Sequence, residues 1–161
     1  MSIFNEAVKL INQYSINIYM NKCKNIEFIK DAENYLNIKL PNSYKIFLEI
    51  YGFLSFGGQE IYGLIDNDFI NSEVPDAFWL TMDFRKEFNL PHHIILISDI
   101  GDGSYYALDL SQMNNEQECP VVIWPVGGYD ETPELEIVAP DFGTWFYDQV
   151  QEQIKRHKEV I

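Results

Sequence analysis

Residues 40–64, LPNSYKIFLEIYGFLSFGGQEIYGL, change their hydrophobic period at Gly52, and that change decides the fold. Before Gly52, apolar side chains recur at the spacing of a helix that buries one face, with Pro41 in its first turn. Gly52 suits the left-handed conformation that ends many helices. After it, apolar residues flank Gly57-Gly58, which is typical of two strands joined by a tight turn. The predicted buried stripe of the helix is Tyr44, Phe47, Leu48 and Tyr51.

Toward the N-terminus, the apolar spacing predicts two more helices. The first carries a stripe of Ile3, Ala7, Leu10, Ile11 and Tyr14, and the second carries Ile29, Ala32, Glu33 and Leu36. We expect the polar residues 15–25 to connect these two helices without regular structure.

Toward the C-terminus, a fourth helix is predicted from about Pro75 to Phe88, ending at Leu90-Pro91. Its predicted stripe is Ala77, Leu80, Phe84 and Phe88. Four strand candidates then follow, at His93–Ser98, Ser104–Leu110, Pro120–Pro125 and Glu134–Val138. Their connections are short, which implies antiparallel neighbours because a parallel crossover needs about a dozen residues or more.

A last helix is predicted after Asp141, which suits its N-cap. The core row of that helix is Phe142, Phe146, Val150 and Ile154. We therefore predict an α+β fold in one domain over residues 1–161. It has a mainly antiparallel sheet, N-terminal helices, one mid-chain helix and a C-terminal helix.

Acidic residues dominate one long segment. The chain carries 25 Asp and Glu against 11 Lys and Arg, a net charge of −14. Residues 46–154 carry −18 and residues 1–45 carry +2. Such a surface repels phosphate backbones and anionic membranes, so we expect neither as a partner. It complements a basic protein, although acidity also serves solubility alone.

Few residues are spaced for catalysis or metal binding. The adjacent His92 and His93 would point to opposite faces of a strand, and no zinc motif, nucleophile elbow or phosphate loop occurs. Cys23 and Cys119 lie far apart, which predicts two free thiols. The chain begins without a signal-peptide pattern, and no apolar stretch is long enough to cross a bilayer. We expect a soluble cytoplasmic protein without a catalytic site, cofactor or metal ion.

The segment Asp99-Ile100-Gly101-Asp102-Gly103 is the most suggestive acidic cluster. Its spacing fails the calcium-loop pattern, because the third position is glycine and the twelfth, Leu110, is not glutamate. We interpret it as a hairpin turn, since Gly tolerates positive φ and Asp bonds its own backbone. A hydrolase that uses Asp99 and Asp102 as paired carboxylates is the competing hypothesis.

Aromatic residues divide between core and loops. We expect Trp79, Trp124 and Trp145 in the core, and one ring of the Tyr105-Tyr106 pair buried with the other exposed. The loop around Tyr129 joins two glycines, an aromatic ring and several acids, which suits either an ordinary solvated loop or recognition of a basic, partly apolar surface. From loop position and charge, the predicted partner contacts are Asp66, Asp68, Glu73, Asp76, Asp102, Tyr129, Asp130, Glu131 and Glu134.

The order of several motifs resembles the SUKH superfamily of Smi/Knr-like proteins. The first motifs are Glu33-x-x-Leu36-x-Ile38-x-Leu40-Pro41-x-x-Tyr44-x-x-Phe47-Leu48 and Gly57-Gly58-x-x-Ile61-Tyr62-Gly63-Leu64. The later motifs are Ile95-x-Ile97-x-x-x-Gly101-Asp102-Gly103-x-Tyr105-x-x-x-Asp109-Leu110, Pro120-Val121-Val122-x-Trp124 and Ala139-Pro140-x-Phe142-x-x-Trp145-Phe146. They extend over about residues 26–150 in the family's order. The glycine pair follows the third helix at a greater distance than the family's pattern leads us to expect.

The resemblance implies an α+β fold and, in bacteria, a non-catalytic cytoplasmic immunity protein that binds and neutralises a cognate polymorphic toxin. We therefore expect a basic toxin partner, such as a nuclease domain, and a monomer or weak homodimer. The fungal relatives imply the alternative, a regulatory interaction scaffold without a toxin partner. The matching residues are structural, so the resemblance carries over no active site.

Overall fold

The computed structural model describes residues 2–14, 17–20, 26–65, 68, 71, 73, 76–125, 127 and 134–160. The first elements along the chain are α1 (Ile3–Tyr14), β1 (Tyr19–Met20), α2 (Ile26–Leu36), α3 (Asn42–Tyr51), β2 (Leu54–Phe56), β3 (Gln59–Ile61) and α4 (Ala77–Phe88). They are followed by β4 (Ile94–Asp99), β5 (Tyr105–Asp109), a 3₁₀ turn (Leu110–Gln112), β6 (Val121–Trp124), β7 (Ile137–Ala139) and α5 (Phe142–Val160).

The described strands form two antiparallel sheets, of order β1-β2-β3 and β4-β5-β6-β7. The two sheets meet between β3 and β4. There the Tyr62 N–H donates to the Ile97 carbonyl at 2.7 Å, and the Ser98 hydroxyl donates to the Glu60 carbonyl at 2.6 Å. The predicted α+β class with antiparallel strands is confirmed, and the strands divide between two sheets where one was expected.

Residues 40–64 fold as their pattern predicts. The predicted stripe of α3 is buried, and Gly52 ends the helix with φ 71°. Gly57 and Gly58 join β2 to β3 with φ values of 61° and 93°. Positive φ at both central residues is what a type I′ hairpin turn requires. Pro41 occupies the N-cap position, one residue earlier than predicted.

The N-terminus of α3 is capped from a distant loop, because Pro41 offers no side-chain hydrogen bond. The half-buried Glu118, in the β5–β6 connection, accepts from the Ser43 N–H at 2.9 Å and the Ser43 hydroxyl at 2.6 Å. The Gln117 carbonyl accepts from the Asn42 N–H at 2.9 Å. These bonds satisfy N–H groups that a helix leaves without intrahelical partners, and they join sequence segments about 75 residues apart.

The four-stranded sheet has an apolar cluster on each face, because its strands alternate. Ile95 and Ile97 of β4 belong to the larger cluster with α1, α2, α3 and α5, whereas Ile94 and Leu96 belong to a smaller cluster with α4. The ring of Phe47 on α3 lies 5.3 Å and 5.5 Å from two rings of α5, those of Phe142 and Phe146. The predicted core row of α5 is buried, and Asp141 accepts from the Thr144 N–H at 2.7 Å as its cap.

The tyrosine pair of β5 differs from the prediction for the same reason. Both rings are half-buried: Tyr105 packs on Phe84 of α4 at 5.2 Å, and Tyr106 packs on Trp145 of α5 at 5.2 Å. A strand with a core on each face has no side left for a fully exposed ring. Trp124 and Trp145 are buried as predicted, and Trp79 is half-buried.

Several element boundaries also differ. Tyr19 and Met20 form a strand paired with β2, where we expected an irregular connection. Residues 15, 16 and 21–25 of that connection lie outside the described residues. A strand of two residues shows no periodicity, so the pattern could not reveal it. The stripe of α1 includes the buried Phe4, whereas Ile3 is exposed.

Two further boundaries lie in the C-terminal half. The apolar spacing predicts Phe88 on the buried face of α4, but it is 52% exposed and its ring packs on that of Phe84, 4.9 Å away. β7 begins at Ile137, three residues later than predicted, after a connection whose residues 126 and 128–133 lie outside the described residues.

Candidate protein-binding surface

One end of the four-stranded sheet brings together acidic residues of β4, of the β4–β5 and β6–β7 connections and of the neighbouring β3. Its register pairs Asp99 with Tyr105 and Tyr105 with Trp124, while the Ile123 N–H donates to the Glu136 carbonyl at 3.0 Å. β3 extends this row, because the Ser98 hydroxyl donates to the Glu60 carbonyl. The β4–β5 and β6–β7 connections leave the sheet at this same end, as alternate connections of an antiparallel meander must.

We call this end of the sheet the acidic edge and define it by five exposed carboxylates: Glu60, Asp99, Asp102, Glu134 and Glu136. Among the described residues, no Lys or Arg side chain lies within ion-pair distance of any of them. The two basic residues between positions 46 and 154 lie elsewhere. Arg85 donates to the His92 carbonyl at 2.7 Å, next to the start of β4 and therefore toward the opposite end of the sheet, and Lys86 follows it on α4.

The hairpin tip between β4 and β5 holds its two aspartates by local bonds. Asp99 accepts from the Gly101 N–H at 2.7 Å, and Asp102 accepts from the Ser104 N–H at 2.9 Å and from the Ser104 hydroxyl. These hydrogen bonds to Asp102 lower the pKa of its carboxyl group, because they favour the ionised form. The predicted hairpin turn is confirmed.

The hydrolase hypothesis fails at this tip. Asp99 and Asp102 are both exposed, as are the glycines beside them. A general acid needs a carboxyl group whose pKa is raised, whereas the hydrogen bonds from Ser104 lower the pKa of Asp102. Asp99 and Asp102 therefore lie in a surface turn rather than in a catalytic cleft.

Two tyrosines lie behind the acidic edge. Tyr62 is buried beside β4, and burial together with the charges of Asp99 and Glu60 raises the pKa of its hydroxyl group. Tyr105 is half-buried, and burial and Asp99 raise its pKa in the same direction. Both side chains therefore stay neutral at physiological pH and add no further charge. Tyr105, the half-buried one of the two, gives the edge an aromatic surface that can contact the stem of a lysine or arginine side chain.

The structure brings only part of the predicted contact set together. Asp102 and Glu134 lie at the acidic edge. Asp68 and Glu73 are exposed in the β3–α4 connection, where Asp68 accepts from the Asn71 N–H at 3.2 Å. Four predicted contacts, Asp66, Tyr129, Asp130 and Glu131, lie outside the described residues.

Asp76 has to be corrected as a predicted contact. It is fully buried and caps α4, since its Oδ1 accepts from the N–H groups of Phe78 and Trp79, both at 2.9 Å. A side chain that the surface does not expose cannot touch a partner. The carboxylate meets the N-terminal N–H groups of a helix, where a negative charge is stabilised.

Glu60, Asp99 and Glu136 are members of the acidic edge that the predicted contact set omits. Asp99 was considered only as a turn residue or a catalytic carboxylate. The positions of Glu60 and Glu136 at the edge depend on how neighbouring strands pair. Glu60 is positioned by the contact of β3 with β4, and Glu136 by the pairing of β6 with β7. The antiparallel order of the last four strands would have placed Asp99 and Glu136 at one end; the β3–β4 junction had no sequence signal.

The histidines and cysteines are the remaining candidates for metal binding or catalysis. Among the described residues, no group of three or more His, Cys, Asp or Glu side chains could hold a metal ion. His93 lies 4.0 Å from Asp109, while His92 approaches the Asn37 carbonyl. Cys119 is a buried free thiol, and burial raises its pKa to about 12. Cys23 lies outside the described residues.

The family comparison covers most of the chain. The SUKH_5 family model, described as SMI1-KNR4 cell-wall, matches residues 4–151. This range includes all strands of both sheets, α1 to α4 and the first half of α5. Among the helices in the part of the chain that the structure describes, none is long and apolar enough to cross a membrane.

Proposed function

Since the chain belongs to the SMI1-KNR4 family of SUKH proteins, we propose that it is a cytoplasmic immunity protein that binds and neutralises a basic toxin domain through its acidic edge. Proteins of this family are commonly immunity proteins and act by binding other proteins rather than by catalysis.

The observation that carries the proposal is the set of five exposed carboxylates, none within ion-pair distance of a Lys or Arg among the described residues. Like charges close together repel one another, and the approach of a basic surface removes that repulsion. A nuclease domain presents such a surface, because it must bind phosphate backbones. An acidic protein seated there excludes the nucleic acid.

The charge also predicts how fast the complex forms. Complementary surfaces raise association rates to about 10⁸–10⁹ M⁻¹s⁻¹ at low salt, and the rate falls steeply as salt screens the charges. An immunity protein gains from fast capture, because the toxin damages the cell for as long as it is free.

Charge reversal at the acidic edge tests the proposal. The chain is co-expressed with the toxin domain encoded by the neighbouring gene, and survival and association rate are measured. We expect the double variant Glu134→Lys and Glu136→Lys to slow association at low salt by at least tenfold and to lose protection. Asp102→Asn removes one more charge but keeps the oxygen that accepts from Ser104. Asp148→Lys, at an exposed position on α5, is the matched control.

Two results would contradict the proposal. If the neighbouring toxin forms no complex at low salt, the chain is not its immunity protein. If the complex forms and Asp148→Lys weakens it as much as the acidic-edge variants do, the partner binds through another surface.

The alternative function is a regulatory interaction scaffold of the Smi/Knr type. The cell-wall description of the family model favours it. The two functions differ in one result: a scaffold gives no protection from a co-expressed toxin, and its deletion changes cell-wall assembly in the absence of any toxin.

A further inference from the structure

A second surface lies on the outer side of α2 and α3. The two helices border a groove of about 420 Å³ whose lining includes Ile26 and Ile46. Ile26 is 55% exposed, Ile46 43% and Ile50 36%. Ile46 and Ile50 lie one turn apart on α3, opposite its buried stripe. Single exposed apolar residues are common, but Ile26 and Ile46 line one groove and Ile50 lies beside Ile46 on α3, which indicates an interaction surface.

This surface, the α2–α3 face, comprises Ile26, Lys30, Lys45, Ile46, Glu49 and Ile50. It differs from most of the molecule because both signs of charge occur beside its apolar centre. Lys45 and Glu49 lie one helical turn apart next to Ile46, and Lys30 lines the same groove. By contrast, residues 52–154, which follow α3, carry 19 acidic and only two basic residues. A surface that carries both positive and negative side chains can be complementary to the same surface of a second copy.

We propose that the α2–α3 face binds the same face of a second copy of this chain around a two-fold axis. In such an isologous contact, both copies use the same surface. If residue i of the first copy contacts residue j of the second, residue j of the first also contacts residue i of the second. Two antiparallel α3 helices bring Ile46 of one copy against Ile50 of the other and place Lys45 close to Glu49 of the other copy. The contact then buries the isoleucine side chains and pairs the opposite charges around them.

The net charge explains why this face suits a second copy. Two molecules of net charge −14 repel each other. Residues 1–45, which contribute α2 and the first part of α3, carry +2, so contact here keeps the acidic segments apart. A neighbouring cavity of about 560 Å³ shares Lys45 and Asn42 with the groove and is also lined by Gln117 of the β5–β6 connection. That connection lies at the other end of the sheet from the acidic edge, so the dimer leaves both acidic edges open.

The size of the face predicts a weak dimer. α2 has 11 residues and α3 has 10, so at 1.5 Å per residue each helix is about 16 Å long. Two such helices bury less than the roughly 800 Å² per partner of a standard stable interface. The dimer should therefore dissociate on dilution.

Sedimentation equilibrium of the full chain tests the proposal, over about 10 μM to 500 μM, a range that spans weak complexes. We expect the average mass to rise above 18.9 kDa toward twice that value. Ile46→Glu should hold the mass at 18.9 kDa throughout. Ile137→Glu, at a position 54% exposed on β7, is the matched control and should still dimerise.

A charge swap distinguishes the proposed contact from nonspecific association. Lys45→Glu alone should weaken the dimer at least tenfold, because it places like charges opposite each other, and adding Glu49→Lys should restore it. Concentration-dependent NMR shifts of the unaltered protein should map to α2 and α3, which needs no variant to fold. A monomer at every concentration overturns the proposal and leaves the face to a different chain. A dimer that Ile46→Glu leaves intact overturns it as well.

Discussion

Gly63→Ala should destabilise the fold strongly, because two backbone segments meet at this residue. A Cβ added to Gly63 would lie 1.7 Å from the Gly52 carbonyl oxygen and 2.9 Å from Cδ2 of Leu48. The same carbonyl accepts from the Leu64 N–H at 2.9 Å, and the Gly63 carbonyl accepts from the Ala77 N–H at 2.8 Å. The close approach thus joins the end of α3, the segment that follows β3 and the start of α4.

The expected loss of unfolding free energy follows from how far the added methyl group must displace the backbone. An ordinary contact begins near 3.4 Å, so the two backbones must separate by about 1.7 Å, which breaks the bond between Leu64 and Gly52. A lost hydrogen bond costs about 1 kcal/mol, and a buried polar group left unsatisfied costs about 1–3 kcal/mol. Strain from overpacking adds about 1–3 kcal/mol. We expect a loss of about 4 kcal/mol, a large part of the roughly 5–15 kcal/mol that holds a domain folded.

Urea unfolding followed by the fluorescence of the buried Trp124 and Trp145 measures this loss. The control is Gly143→Ala in the first turn of α5, which should not lower the free energy of unfolding. Its added Cβ meets nothing closer than 3.4 Å, and its backbone is helical. Alanine is favoured over glycine in a helix by about 0.5–1 kcal/mol, so this variant should be neutral or slightly more stable. A Gly63→Ala protein within about 1 kcal/mol of wild type would refute the clash.

Three further predictions concern buried polar groups. Asp76→Ala should cost about 1–2 kcal/mol in urea unfolding, because it removes the cap of α4, and Asp76→Asn, which keeps the accepting oxygen, should cost less; equal losses would contradict the capping role. Burial raises the pKa of Glu118, so its contribution to the free energy of unfolding is fully present below the ordinary glutamate pKa and is lost as pH rises through the raised value. Wild type should therefore lose stability relative to Glu118→Gln between pH 4 and pH 7, and parallel stability curves would contradict this. Cys119, whose pKa burial raises to about 12, should react with a thiol reagent at pH 8 only after denaturation, in a Cys23→Ser background; fast reaction of the native protein would show that the thiol is accessible.

Most of the fold could be predicted from the sequence, because period and turn chemistry are local signals. The switch at Gly52, the Gly57-Gly58 turn and the core row of α5 each depend on residues that are neighbours along the chain or along one helix face. The strand at Tyr19–Met20 could not be predicted, since it exists only through pairing with β2. The same holds for the capping of α3 by Glu118, whose partner Ser43 lies 75 residues away.

The candidate surface was harder to predict than the fold for a physical reason. The sequence does not distinguish an acidic residue that faces water from one that caps a helix. Asp76 caps a helix. Only the register of the strands tells which carboxylates lie side by side. Loop position and charge therefore found Asp102 and Glu134 but not Glu60 or Glu136.

Two members of the acidic edge, Glu134 and Glu136, contribute little to stability, whereas Asp99 and Asp102 also bond the hairpin tip. Glu134 and Glu136 are exposed, and no side-chain hydrogen bond or ion pair holds either of them among the described residues. Substitutions at such positions usually change the free energy of unfolding by less than about 0.5 kcal/mol. Removing an interfacial charge mainly changes association rate and salt dependence. Under the proposed function, sequence changes at Glu134 and Glu136 should therefore alter which partner surface is bound, while the cores on both faces of the sheet keep the protein folded.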